Sequence, residues 1–225
     1  MEKNNIDGII LSLSQDARDI TYLKKVIEKN IHFVQFNRVN YKLDTPKIVF
    51  EDYKWAYIAT EHLLKQGYRK IYHLAGPINL IVAHIRLNGF NDVMKKYNNR
   101  FDPKTSFFET GIFIEDGERI AERLIKSDNV PEAFFCFNDP VAIGAMEVFK
   151  AHGYRIPEDV AFVGFTESLI APHIGLTSVE QPAEELGFIS AQTLLKMFHG
   201  DMKDEKTTLR LDGKLNIRSS SVKKN

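Results

Sequence analysis

The sequence predicts an α/β fold in which parallel sheets are flanked by helices. Three observations point there. First, short apolar runs such as Ile6–Leu13, Ala133–Phe137 and Val160–Phe165 suit strands buried on both faces. Second, stretches with helical spacing of apolar residues separate them; Val141, Ala145, Val148 and Phe149 form one such set, which Gly153 stops. Third, Asn138-Asp139-Pro140 reads as a helix start, with Asp139 expected at the N-cap and Pro140 at the first helical position. Strand, helix and strand make a β-α-β unit, and such units build parallel sheets through right-handed crossovers. Ligands of open parallel sheets sit beyond the carboxyl ends of the strands. Asn138, Asp139, Thr166 and Glu167 lie at those ends.

In chain order, Ile6–Leu13 is a strand, Asp16–Asn30 a helix with Ile20, Leu23, Val26 and Ile27 on one face, and Ile31–Phe36 a second strand. A polar loop, Val39–Pro46, leads to a short strand, Lys47–Phe50, read as a crossing between lobes. Asp52 is placed to cap the helix Tyr53–Gln66, whose inward face carries Ile58, Ala59, His62 and Leu63. Lys70–Leu74 is a strand, and a Gly-Pro loop then enters a helix reaching about Tyr97. Phe107–Phe113 is read as a strand and Gly117–Lys126 as a helix. After the central unit, Leu186–Phe198 is a helix and Asp201–Lys206 a solvated linker. Leu209–Leu211 and Lys214–Ile217 flank Asp212-Gly213, a hairpin signal.

Composition excludes several classes. A chain of 225 residues, 44% hydrophobic and 27% charged, can bury a sizeable core. No apolar run approaches the ~20 residues of a membrane-spanning helix, and the first residues do not form a signal peptide. A single cysteine, Cys136, rules out an internal disulfide and fits a reducing, cytoplasmic setting. Lys plus Arg equals Asp plus Glu, 30 each, so the basic surplus typical of direct phosphate binding is missing. The sequence holds no G-x-S-x-G, H-E-x-x-H, P-loop or G-x-G-x-x-G pattern and no histidine cluster at ligand spacing. No enzyme, cofactor or metal is expected.

The stretch FFCFNDPVAIGAMEVFKAHGYRIPEDVAFVGF, followed by GLTSVEQPAEELG, resembles the effector-binding domain of LacI-type bacterial transcription regulators. HLLKQGYRKIYHLAGP and IRLNGFNDVM extend the resemblance over nearly all of the chain. It implies the two-lobe periplasmic-binding-protein-like fold, with a first lobe of residues 1–49 plus 181–200 and a second of 50–179 plus 207–220. The first lobe reads as truncated, since two opening strand–helix units have no counterpart, which leaves a sheet edge unpaired. The family's helix-turn-helix is also missing from this sequence, so DNA contact is expected only through a segment not present here. The resemblance further implies a small-molecule effector (a sugar, sugar acid or related compound), a homodimer and no membrane partner. The alternative is a periplasmic-type solute-binding protein for sugar transport, which shares the fold.

The resemblance also nominates site residues. Arg86, in IRLNGF, matches the arginine that holds ligand hydroxyls or carboxylates, a task suited to a planar fork of donors. Asn138 matches an asparagine whose amide donates and accepts. Asn37 and Thr166 stand where many members carry aspartates, so this site is expected to be poorer in carboxylates and to admit an anionic ligand. Phe113 or Phe165 is a candidate stacking face. With Asn37 and Thr166 neutral, Arg86 is expected to be the main fixed charge facing the ligand and its most important contact.

Overall fold

The structure is a computed structural model that describes residues 6–14, 20–29, 31–97, 106–202 and 206–223. The chain divides into two compact units, Met1–Glu51 with Pro182–Asp212 and Asp52–Gln181 with Gly213–Asn225.

The first unit holds β1 (Gly8–Leu11), α1 (Thr21–Glu28), β2 (His32–Phe36) and β3 (Lys47–Phe50), then α6 (Ala183–Phe198) and β9 (Thr208–Leu211). Its sheet has the order β1-β2-β3-β9, and every pair is parallel. Among the described residues β1 pairs only with β2. The helix α6 places Leu186 and Met197 against Val34 and Ile48, with Ile189, Leu194 and Leu211 packed around them. The first turn of the expected helix, from Asp16 to Asp19, its last residue Asn30 and part of the Asp201–Lys206 linker lie outside the described residues.

The second unit holds α2 (Asp52–Lys65), β4 (Ile71–Leu74), α3 (Ile81–Lys96), β5 (Phe107–Phe108) and α4 (Ile114–Lys126). It continues with β6 (Ala133–Cys136), α5 (Asp139–Ala151), β7 (Ala161–Thr166), β8 (Thr177–Glu180) and β10 (Lys214–Asn216). Among the described residues its six strands run β10-β8-β7-β6-β4-β5, with only β10 antiparallel. One face of this sheet packs on α4 and α5: Tyr72, Leu74, Phe134, Cys136 and Phe162 meet Ile120, Leu124, Val141, Ala145 and Phe149. The two helices approach so closely that side chains are excluded at their contact. A Cβ at Gly117 would stand 2.1 Å from the Val141 carbonyl oxygen, and one at Gly144 would stand 2.0 Å from that of Ile114. On the opposite face His73 stacks on Phe135 and on Phe90, with centroids 4.7 and 5.1 Å away.

Three local expectations are corrected. The cap of α5 is Asn138, whose side chain accepts from the Val141 N–H at 3.0 Å; Asp139 is already helical and fully buried. It is unavailable as a cap because its carboxylate accepts from Ser178 Oγ at 2.6 Å and from the Ser168 N–H at 2.5 Å. The Asp212-Gly213 hairpin does not form. β9 runs parallel to β3 in the first unit and β10 runs antiparallel to β8 in the second, so residues 207–220 are shared between the units. Leu211 of β9 packs on the Val34–Ile48 core of the first unit, while Lys214–Asn216 pair with Ser178–Glu180 of the second. Finally, strand pairing at Phe107 ends after Phe108, and α4 begins at Ile114 because the Asp116 carboxylate accepts from the Phe113 N–H at 3.0 Å.

Candidate functional site

The carboxyl ends of β4, β6 and β7 meet the amino-terminal parts of α3 and α5, and the second unit's candidate residues gather there. Arg86 lies in the second turn of α3, with only 3% of its surface exposed. Its Nε donates to Asp52 Oδ1 at 2.8 Å, and Nη2 lies 2.7 Å from the same oxygen. Nη1 donates to the Phe137 carbonyl at 2.5 Å. The guanidinium also sits over the Phe165 ring at 3.7 Å and the Phe137 ring at 4.7 Å. Burial pulls the Arg86 pKa below its usual value, while the Asp52 carboxylate opposes that shift. Stacking between two aromatic faces is a guanidinium's way of losing water without losing all compensation.

From Arg86 the bonding continues. Asn138 follows Phe137, and its Nδ2 donates to the Ile112 carbonyl at 2.8 Å while its Oδ1 caps α5. Phe113 follows Ile112 and is 61% exposed, so its ring is available to stack. Asp139 follows Asn138 and holds the Ser168 N–H, two residues beyond Thr166. Thr166 has φ 97° and Glu167 φ 55°, a left-handed pair at the end of β7. Positive φ at a β-branched residue is strained and persists only where neighbours over-determine it. Here the neighbours are Ser178, whose Oγ accepts from the Glu167 N–H at 3.1 Å, and Arg218, whose guanidinium pairs with the Glu167 carboxylate. Burial raises the Asp139 pKa to about 6 against the hydrogen bonds from Ser178 and Ser168. The structure thus links Arg86, Asn138, Phe113 and Thr166 within one unit. Phe165, whose ring is buried, serves the Arg86 stack.

Asn37 belongs to the first unit. It ends β2 with φ 56°, and its N–H donates to the Ile48 carbonyl at 2.9 Å. The loop that follows is clamped from inside by two buried polar side chains. Gln35 accepts from the Asn40 N–H at 2.7 Å and donates to Thr45 Oγ1 at 2.8 Å. Lys47 Nζ donates to the carbonyls of Leu43 and Thr45, both at 2.7 Å. A cavity of about 140 Å³ lined by Ile27, His32, Phe33, Thr45 and Met197 lies at the opposite, amino end of β2.

Sequence reasoning missed Asp52, read there only as a helix cap, and the partners of Asp139. Asp52 and Arg86 are 34 positions apart, a separation that no local pattern spans. Elsewhere in the second unit His62, expected to pack rather than bind metal, is buried with its Nε2 2.8 Å from Ser221 Oγ.

A family profile described as "Periplasmic binding protein-like domain" matches residues 60–221. The chain is 30% identical over 232 aligned positions to the HTH-type transcriptional repressor PurR of Mannheimia succiniciproducens, covering 100% of this chain and 66% of that protein. The chain thus spans just under two thirds of that relative's length. Among solved structures, a transcriptional regulator CelR–cellobiose complex aligns with TM-score 0.87 and 26% identity, over 96% of this chain and 66% of that one. A LacI family transcriptional regulator from Enterococcus faecium with bound ribose aligns with TM-score 0.87 and 25% identity, over 98% of this chain and 81% of that one. These relatives are transcriptional regulators. No helix among the described residues is long and apolar enough to cross a membrane. The match over residues 60–221 and the relatives that share it establish that this chain belongs to the periplasmic-binding-protein-like domain family, as the effector-binding domain type of LacI-family regulators.

Proposed function

We propose that this chain senses a small polyhydroxylated molecule, a sugar or sugar derivative, held at the carboxyl ends of its parallel strands. The observation that carries the reading is the strained, over-determined turn at Thr166–Glu167, bonded through Asp139 to the helix that Asn138 caps. Strain held at the ligand-binding edge of a parallel sheet costs stability, and it persists where a binding surface needs that shape. Asn37, also left-handed at a strand's carboxyl end, is the corresponding candidate of the first unit. The cellobiose and ribose bound by two neighbours support the ligand class. Asn138, Thr166, Asn37 and Phe113 are the proposed contacts, and Arg86, bonded to Asp52 and the Phe137 carbonyl, holds the surface behind Asn138. Amide and hydroxyl groups match sugar hydroxyls, and the exposed Phe113 ring suits a sugar's apolar face.

In this reading the ligand binds one conformation of the protein more tightly, and that difference drives a conformational change. In a cytoplasmic homodimer the motion resets the spacing of DNA-reading segments, to which half-site geometry makes affinity sensitive.

The test is a thermal-shift screen of sugars and sugar acids, followed by calorimetry on the best ligand with Asn138→Ser and Thr166→Ala. Serine retains the helix cap but not the amide. Each variant is expected to stay folded and to bind about ten-fold more weakly, the loss of roughly one hydrogen bond. Unchanged affinity in both variants would place the ligand elsewhere.

A further inference from the structure

We infer that Arg38 is an anion-selecting residue, which reads a carboxylate or phosphate group on the ligand. The inference rests on the proposed function above and specifies its ligand class. Arg38 directly follows Asn37 at the carboxyl end of β2. Its backbone is fixed: the Arg38 carbonyl accepts from the Leu13 N–H at 2.8 Å, tying the ends of β1 and β2 together. Behind it stands the clamp of Gln35 and Lys47, which holds the Asn40–Thr45 loop through five hydrogen bonds from buried side chains.

Its side chain, by contrast, is uncommitted. Its one hydrogen bond is a long one, Nε to Ser12 Oγ at 3.5 Å. Among the described residues no carboxylate pairs with it, and both terminal nitrogens are left without a protein partner. A partly buried guanidinium with a fixed backbone and an open fork is ready for bidentate capture of an oxyanion. In the second unit the opposite holds: the Arg86 charge is met by Asp52 and that of Arg218 by Glu167. Among the described residues Arg38 is thus an open cation at a strand's carboxyl end, and beside it Ser12 and Asn37 are neutral polar groups.

The experiment compares matched probes by calorimetry and thermal shift: glucose, galactose and ribose, the corresponding uronic or aldonic acids, and the corresponding sugar phosphates. Parent and Arg38→Gln are tested with each, at low and high salt. An acid or a phosphate is expected to bind at least ten-fold more tightly than its neutral parent sugar. Arg38→Gln should erase that preference and its salt dependence while leaving neutral-sugar binding unchanged. Preference for uronic or aldonic acids alone assigns the group as a carboxylate, and preference for the phosphates alone assigns a phosphate; either supports the inference. An acid preference that survives Arg38→Gln overturns it. Neutral sugars binding as well as their acids overturns it while the sensing function stands. Binding by no probe overturns both.

Discussion

The two units present arginines at comparable places in very different states. Arg86 is buried, ion-paired to Asp52, bonded to the Phe137 carbonyl and stacked between two phenylalanine rings. Arg38 has a firmly held backbone and one long side-chain hydrogen bond. The difference separates two uses of one side chain. A guanidinium whose charge is met inside the protein acts as a rigid strut, fixing the carbonyl and the rings around it. An unmet guanidinium on a rigid base keeps its charge for something else. The sequence-based expectation that Arg86 would be the main fixed charge facing a ligand took no account of Asp52, because nothing local to either residue announces the pair.

If Arg86 and Asp52 form such a strut, breaking one half should cost more than removing both. Asp52→Ala leaves a cation buried without its partner, and should destabilise the protein by about 3–5 kcal/mol in urea denaturation. A double replacement, Asp52→Leu with Arg86→Met, should recover most of that loss, since apolar pairs of similar volume often match a buried ion pair. Arg38→Gln should leave stability within about 0.5 kcal/mol, as for surface positions generally. Equal losses for Asp52→Ala and Arg38→Gln would erase the contrast between the units.

A second, smaller effect sharpens the same contrast, because the second unit also buries titratable groups. His73 is fully buried, and burial lowers its pKa from 6.5 to about 4. Its Nδ1–H donates to the Phe135 carbonyl at 2.9 Å, while Nε2 has no partner among the described residues, so the native ring is neutral. The unfolded chain binds the proton first. The stability that His73 contributes is therefore full above pH 6.5 and declines as pH falls towards 4, by about 3 kcal/mol in all. Asp139 works in the opposite direction. Its native pKa of about 6 exceeds the ordinary 3.8, so its burial cost is relieved as pH falls through that window. His73→Phe should thus gain on the parent as pH drops from 6.5 to 4, and Asp139→Asn should lose ground to it. Denaturation curves at several pH values measure both, and parallel pH profiles for the three proteins would refute the assignment.

How much of this was legible in the sequence follows from the range of each interaction. Strands such as Ala133–Cys136 and helices such as α5 are written in runs and spacings only a few residues long, and they were read correctly apart from their ends. The cap of α5 was misassigned by one residue because Asp139 is held by Ser168 and Ser178, 29 and 39 positions away. Asp212-Gly213 carries a hairpin's local signal, and partners in two different sheets override it. The site candidates came from motif resemblance. What they touch came only with the fold, because Arg86 meets Asp52 and Phe137 across 34 and 51 positions.

The most direct test of the central claim is to map ligand contact residue by residue, by following backbone amide resonances as a ligand found by screening is added. The largest shifts are expected at Ser12–Leu13 and Asn37–Arg38 of the first unit and at Phe113, Phe137–Asn138 and Thr166–Ser168 of the second. Shifts confined instead to the cavity beside His32 and Met197, or to the exposed face of α4 around Arg119 and Arg123, would contradict it.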